Sequence, residues 1–89
     1  PYYLAMYYLD MGRVEQGLEQ AERYVDYVSA DAAVWQKTFE LLEKYEQDTE
    51  EYRAGVCHIA ELLDQWNREN MGRIELDEQA QAFVERMGS

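Results

Sequence analysis

The residues with the strongest intrinsic chemistry are Cys57 and His58, side by side, with Glu61 three positions further on. A thiolate and an imidazole make a nucleophile–base pair or the start of a metal site only if both side chains reach one point. Neighbours on a helix diverge by about 100° and cannot do so. The chain has no second cysteine or histidine to complete a zinc site. His58-x-x-Glu61 has helical spacing, but di-iron sites use Glu-x-x-His, the reverse order, in more than one copy. Metal binding is therefore not expected. Paired carboxylates such as Glu50-Glu51 and Asp77-Glu78 suit general acid–base work only with one member in an apolar pocket. Nothing marks such a pocket, and both pairs fall at expected helix starts, where the helix dipole favours negative charge. Phosphate loops, glycine-rich dinucleotide turns and Ser/His/Asp constellations are missing. The sequence is read as non-catalytic, with no cofactor.

The elements that would position these groups are all helical. Ala, Leu, Glu, Gln, Met and Arg abound, and they lose little rotamer freedom in a helix. A first helix is expected from Tyr2 to Met11, stopped by Gly12 in the left-handed conformation. A second starts near Arg13 or Val14, with Val14, Leu18, Ala21, Val25 and Val28 on one apolar stripe. Asp31 is placed to cap a third helix bearing Val34, Trp35, Thr38, Phe39, Leu41, Leu42 and Tyr45. Asp48 with Glu51 has capping-box spacing for a fourth, whose stripe is Tyr52, Val56, Ile59, Leu63 and Trp66. Residues 67–76, with Asn70 and Gly72 as breakers, read as a loop. Asp77 then caps a fifth helix with Ala80, Phe83, Val84 and Met87 on one face, and Leu76 stands where a hydrophobic staple would be. Short joints make sequential helices antiparallel. The expected fold is all-α and single-domain: a hairpin over about 2–29, a second over about 31–67, and a capping helix at 77–87.

Charge narrows the partners. Nineteen acidic against eight basic side chains leave a formal net charge of -11 in 89 residues. That field repels phosphate backbones and anionic lipid, so neither nucleic acid nor direct membrane insertion is expected. No apolar run approaches the ~20 residues of a membrane span, and no signal-peptide pattern opens the chain. The single cysteine is silent about redox compartment. A start at Pro1 instead of Met is what a trimmed chain, or a fragment of a larger protein, would have. Localisation is left open, with attachment to a membrane protein through segments outside this stretch among the options.

The second and fourth helices align with each other: Val14-x-x-Gly17-Leu18 against Tyr52-x-x-Gly55-Val56, then Ala21 with Ile59, Val25 with Leu63, and Val28 with Trp66. A small residue in each first turn is expected to let the partner helix of the hairpin come close. On Leu4, Ala5, Tyr8, Gly12, Val14, Gly17 and Leu18, the first hairpin resembles a tetratricopeptide repeat. Trp35, Leu42, Tyr52, Gly55 and Val56 extend the resemblance to about residue 66. Tyr24 stands where that family has a small residue, the usual closing proline is absent, and the second hairpin carries about one extra helical turn and no turn glycine. The resemblance implies a right-handed stack of helix pairs whose first helices line a peptide groove. A looser resemblance, on the tyrosine-rich opening, Trp66-Asn67 and the closing LDEQAQAFVERM, is to the repeat segment of bacterial O-antigen ligase or polymerase membrane proteins. It would make the chain an extramembrane accessory domain. "MGRVE" at Met11 and "MGRIE" at Met71 echo each other at a spacing that matches no repeat period.

If a groove is used, it would draw Tyr2, Tyr3, Met6 and Leu9 from the first helix and Gln36, Lys37, Glu40, Glu43 and Lys44 from the third. Tyrosine offers large contact area with few rotors, and the two lysines could meet a carboxylate. The crowded Tyr2, Tyr3, Tyr7 and Tyr8 equally suit packing against a preceding repeat or a second copy, with Tyr2, Tyr3 and Tyr7 forming a homodimer seam. The expected function is protein or peptide binding, with a small acidic self-associating bundle as the alternative.

Overall fold

The computed structural model describes all of residues 1–89 and contains five α-helices and no strand. They are α1 (Tyr2–Asp10), α2 (Val14–Tyr27), α3 (Ala32–Lys44), α4 (Glu50–Asn70) and α5 (Glu78–Met87). Gly12, at φ 78°, supplies the left-handed turn between α1 and α2. Asp31 and Asp77 accept from the amides of Ala33 and Ala80, satisfying donors that a helix start leaves free.

Three local expectations are corrected. Thr49, not Asp48, caps α4: its hydroxyl accepts from the Tyr52 amide, while Asp48 pairs with Arg53. Thr49 is the better placed oxygen because its own backbone is extended immediately before the first helical residue. Residues 67–70 are helical, so the loop begins only at Met71, which is left-handed at φ 52°. Asn67 does not break the helix; its amide donates to the Ile74 carbonyl and accepts from the Ile74 amide, pinning the loop back onto α4. Leu76 has no apolar staple partner, since Gln81 occupies the facing position and donates instead to the Leu76 carbonyl. The echoed Met-Gly-Arg turns also differ, with the left-handed residue being Gly12 in one and Met71 in the other.

Polar and apolar contacts fix the helix directions. Leu9 meets Gly17 and Tyr2 meets Tyr24, so α1 and α2 are antiparallel. The Tyr52 hydroxyl donates to the Leu42 carbonyl while Trp35 shares a recess with Leu62 and Trp66, so α3 and α4 are antiparallel too. Tyr2–Lys37 and Asp10–Tyr45 make α1 and α3 parallel neighbours. Gln36–Asp77 and Glu43–Arg86 do the same for α3 and α5, as Leu18–Gly55 and Glu22–His58 do for α2 and α4. The result is two rows, α1-α3-α5 and α2-α4.

The core between the rows comprises Ala5, Leu9, Leu18, Ala21, Val25, Val34, Trp35, Phe39, Leu41, Leu42, Tyr52, Val56, Ile59, Leu63, Ala80, Phe83 and Met87. Val28, expected on the α2 stripe, lies past the helix end and is 36% exposed. Gly17 admits Leu9 of its hairpin partner, as expected. Gly55 does something else. Its open side faces Leu18 of α2, so it serves packing between the two α2-α4 neighbours and not the α3-α4 hairpin. Bulky Trp35, Phe39 and Tyr52 fill the core of the second hairpin, whose backbones stand further apart than those of α1 and α2.

Buried polar atoms are all partnered. The Thr38 hydroxyl donates to the Val34 carbonyl and the Trp35 indole donates to the Ser29 carbonyl at 2.8 Å. Tyr52 satisfies one of the carbonyls that the end of α3 leaves free. No helix is long and apolar enough to cross a membrane.

Candidate docking surface

Cys57 and His58 point to different neighbours. The Cys57 sulfur faces Gly88 after α5, 3.7 Å from where a Cβ there would stand, and His58 Nε2 sits 3.2 Å from a Glu22 carboxylate oxygen on α2. His58 and Glu22 are both about half exposed, which makes them a surface contact of small energetic weight. No three His, Cys, Asp or Glu side chains converge on one point. Glu50 and Glu51 occupy the first turn of α4, and Asp77 and Glu78 the start of α5, all open to solvent. The recess lined by Val25, Trp35, Leu62 and Trp66 holds about 130 Å³; three broader depressions of about 420, 640 and 460 Å³ lie open to solvent elsewhere on the surface.

Of the residues expected to line a groove, Tyr3 is turned to the opposite side of α1 and is exposed; the rest divide into three groups. Leu9 is a correction: it is 4% exposed and forms the floor against Gly17, because Ala5 and Leu9 are the α1 positions that face α2. Gln36 and Glu43 are engaged by α5. Gln36 accepts from the Asp77 amide, and Glu43 meets Arg86 at 3.1 Å and Gln79 at 3.2 Å. Arg86 also holds Glu46, whose carboxyl the guanidinium keeps below the usual range, while both carboxylates raise the Arg86 pKa. What remains between α1 and α3 is Tyr2 with the Lys37 ammonium 4.0 Å over its ring, half-buried Met6, and exposed Glu40 and Lys44. Lys44 lies 5.5 Å from the Tyr45 ring. The phenol of Tyr45 donates to Asp10 at 3.2 Å; partial burial and that carboxylate push its pKa up.

Tyr2 also separates from the proposed homodimer seam. It is half-buried, with Tyr24 at 5.5 Å and Tyr3 edge-on at 5.6 Å. The opposite side of α1 is open and apolar: Tyr3 is 65% exposed, Leu4 48%, Tyr7 57% and Met11, just past the helix, 60%. Leu4 and Met11 were not among the expected seam residues. Their phase could have shown them, since positions 4, 7 and 11 lie opposite the Ala5–Leu9 face once that face is known to meet α2. A helix apolar on every side is usually covered on every side. Tyr3, Leu4, Tyr7 and Met11 carry no charge themselves; the one acidic residue of α1, Asp10, is exposed and accepts from the Tyr45 phenol just past α3.

Compared with known proteins, the chain matches no family model, no curated protein and no solved structure.

Proposed function

We propose that this chain is a non-catalytic protein-binding module built as a stack of helix pairs, with the outer face of α1 as its docking surface. The single observation that carries the reading is the uncharged stripe of Tyr3, Leu4, Tyr7 and Met11, exposed on a chain whose net charge is -11. Tyrosine and methionine are enriched at interface centres and charged residues are depleted there. The stripe has 3-4 spacing (Leu4, Tyr7, Met11), so the surface it fits is the apolar face of another helix. On this reading α1-α2 and α3-α4 are successive right-handed repeats of tetratricopeptide type, and α5 occupies the place of the next first helix. The parallel rows α1-α3-α5 and α2-α4 support that arrangement, as does Arg86 locking α5 onto Glu43 and Glu46. The two ends of that row differ: the exposed flank of α5 carries Glu78, Gln81 and Glu85, whereas that of α1 carries Tyr3, Leu4 and Tyr7.

The test is selection of helical peptides from a display library, followed by affinity measurement against Tyr7→Glu and Leu4→Glu. Binders should lose at least about 100-fold, since an unpaired carboxylate buried in an apolar contact costs several kcal/mol. Binders that ignore both substitutions but respond to Lys37→Glu or Glu40→Lys would move the docking surface to the α1-α3 side and refute the proposal.

A further inference from the structure

We infer that the partner on the outer face of α1 is a second copy of this chain, paired antiparallel about a two-fold axis at Tyr7. This rests on the docking surface proposed above and names its occupant. Two chains of net charge -11 repel one another over most of their surfaces, and they meet without opposing carboxylates only where none projects. Residues 1–9 are the longest stretch of the chain without an ionisable Asp, Glu, Lys, Arg or His side chain. Asp10, which follows, is turned to α3 and hydrogen-bonded to Tyr45. The stripe is also self-complementary. With Tyr7 on the axis, Tyr7 meets Tyr7 of the second copy, and Tyr3 meets Met11 four residues to the other side, a sulfur–aromatic contact of ordinary type. An isologous contact needs no second matching surface on the molecule.

The area sets the strength. Given about 150–250 Å² for each aromatic side chain, the exposed stripe supplies on the order of 500 Å² per copy, so the pair buries about 1,000 Å². That is about the minimum for a specific interface, which fits a weak, reversible dimer and not an obligate one. Salt gives the pairing a signature. Screening the mutual repulsion strengthens it, whereas docking of a basic helix on an acidic domain would weaken with salt.

Sedimentation of the full chain across a dilution series, at about 0.05 and 0.5 M NaCl, tests the inference. The expected result is a monomer–dimer equilibrium that tightens with salt. It is lost in Tyr7→Glu and weakened in the milder Tyr7→Gln, and it survives Met71→Glu, a change of still more exposed apolar surface at the end of α4. Circular dichroism melts confirm that the exposed-site variants fold. A chain that stays monomeric at millimolar concentration in high salt overturns the self-pairing. So does a dimer that persists in both Tyr7 variants. If the chain is monomeric yet selected helical peptides still bind in a Tyr7-dependent way, the docking surface stands and only its occupant is wrong. If neither occurs, both readings fall.

Discussion

Gly17 and Gly55 occupy equivalent places in α2 and α4, yet adding one methyl to each should move stability in different amounts. A Cβ at Gly17 would stand 2.6 Å from Leu9 Cδ2, 2.7 Å from Leu9 Cγ and 3.2 Å from the Leu9 backbone nitrogen. Leu9 is buried, and a clash with Cγ and backbone cannot be relieved by turning a terminal methyl. Either α1 shifts by roughly 1 Å or Leu9 leaves its rotamer, and because the clash reaches Cγ and backbone the cost lies in the upper part of the overpacking range, about 2–3 kcal/mol. Replacing glycine by alanine inside a helix returns about 1 kcal/mol. Gly17→Ala should therefore lose roughly 1–2 kcal/mol net, a fall in Tm of about 5–15 °C for a domain of this size. At Gly55 the new methyl meets Leu18 Cδ1 at 2.5 Å and Cδ2 at 3.0 Å, with Cγ at 3.2 Å. Those are the ends of a side chain at the rim of the core, and their rotation costs about as much as the helix gains. Gly55→Ala should fall within about 0.5 kcal/mol of the parent. Urea and thermal denaturation followed by circular dichroism measure both. A Gly17→Ala chain as stable as the parent, or a Gly55→Ala chain that loses more than Gly17→Ala, would refute the packing argument.

Burial raises the Tyr52 phenol above its ordinary value. The Tyr52 contribution to stability should therefore be level below pH 10, where an unfolded tyrosine is still protonated, and should fall above it by at most about 1.4 kcal/mol per pH unit. Tyr52→Phe should flatten that fall while costing about 1–3 kcal/mol at neutral pH, because the Leu42 carbonyl loses its donor; alkaline urea titrations check both. Asp77→Ala removes the oxygen that accepts from the Ala80 amide and should cost about 1 kcal/mol, with hydrogen exchange rising in α5 before α2. Glu46 titrates below the usual carboxylate range because Arg86 holds it, so its contribution is complete at neutral pH and is lost as pH falls through that lowered value. Exchange of α5 amides should accelerate on acidification in the parent and be fast already at neutral pH in Arg86→Ala.

Four of the helices were legible in the sequence because each carries its own phase, and α1, apolar nearly all round, because Gly12 stops it. Tyr52, Val56, Ile59 and Leu63 repeat at helical spacing and all are buried in α4. Asp31 and Asp77 could be read as caps because each precedes its helix with no rival oxygen nearby. At α4 there were two candidates, and Asp48 fitted a familiar spacing while Thr49 had the right backbone. The sequence ends α4 too early because Asn70 and Gly72 look like breakers one at a time. The Asn70 amide instead donates to the Trp66 carbonyl within the helix, and the bonds of Asn67 to Ile74 form only once the loop has folded back. The docking surface was half legible. Tyrosine crowding drew attention to α1, but which tyrosines face outward depends on which side of α1 meets α2 and α3. That is tertiary information, and it turned Tyr2 and Leu9 inward and left Leu4 and Met11 outside. The seating of α5 on Gln36 and Glu43 was likewise invisible, since it joins residues some forty positions apart.

The central claim, that partners are received on the outer face of α1, is tested most directly by mapping amide and side-chain NMR shifts while a selected helical peptide is titrated in. The perturbed signals should cluster on Tyr3, Leu4, Tyr7 and Met11, with α5 silent. Perturbations centred instead on Lys37, Glu40 and Lys44, leaving Tyr3 and Tyr7 unmoved, would contradict it.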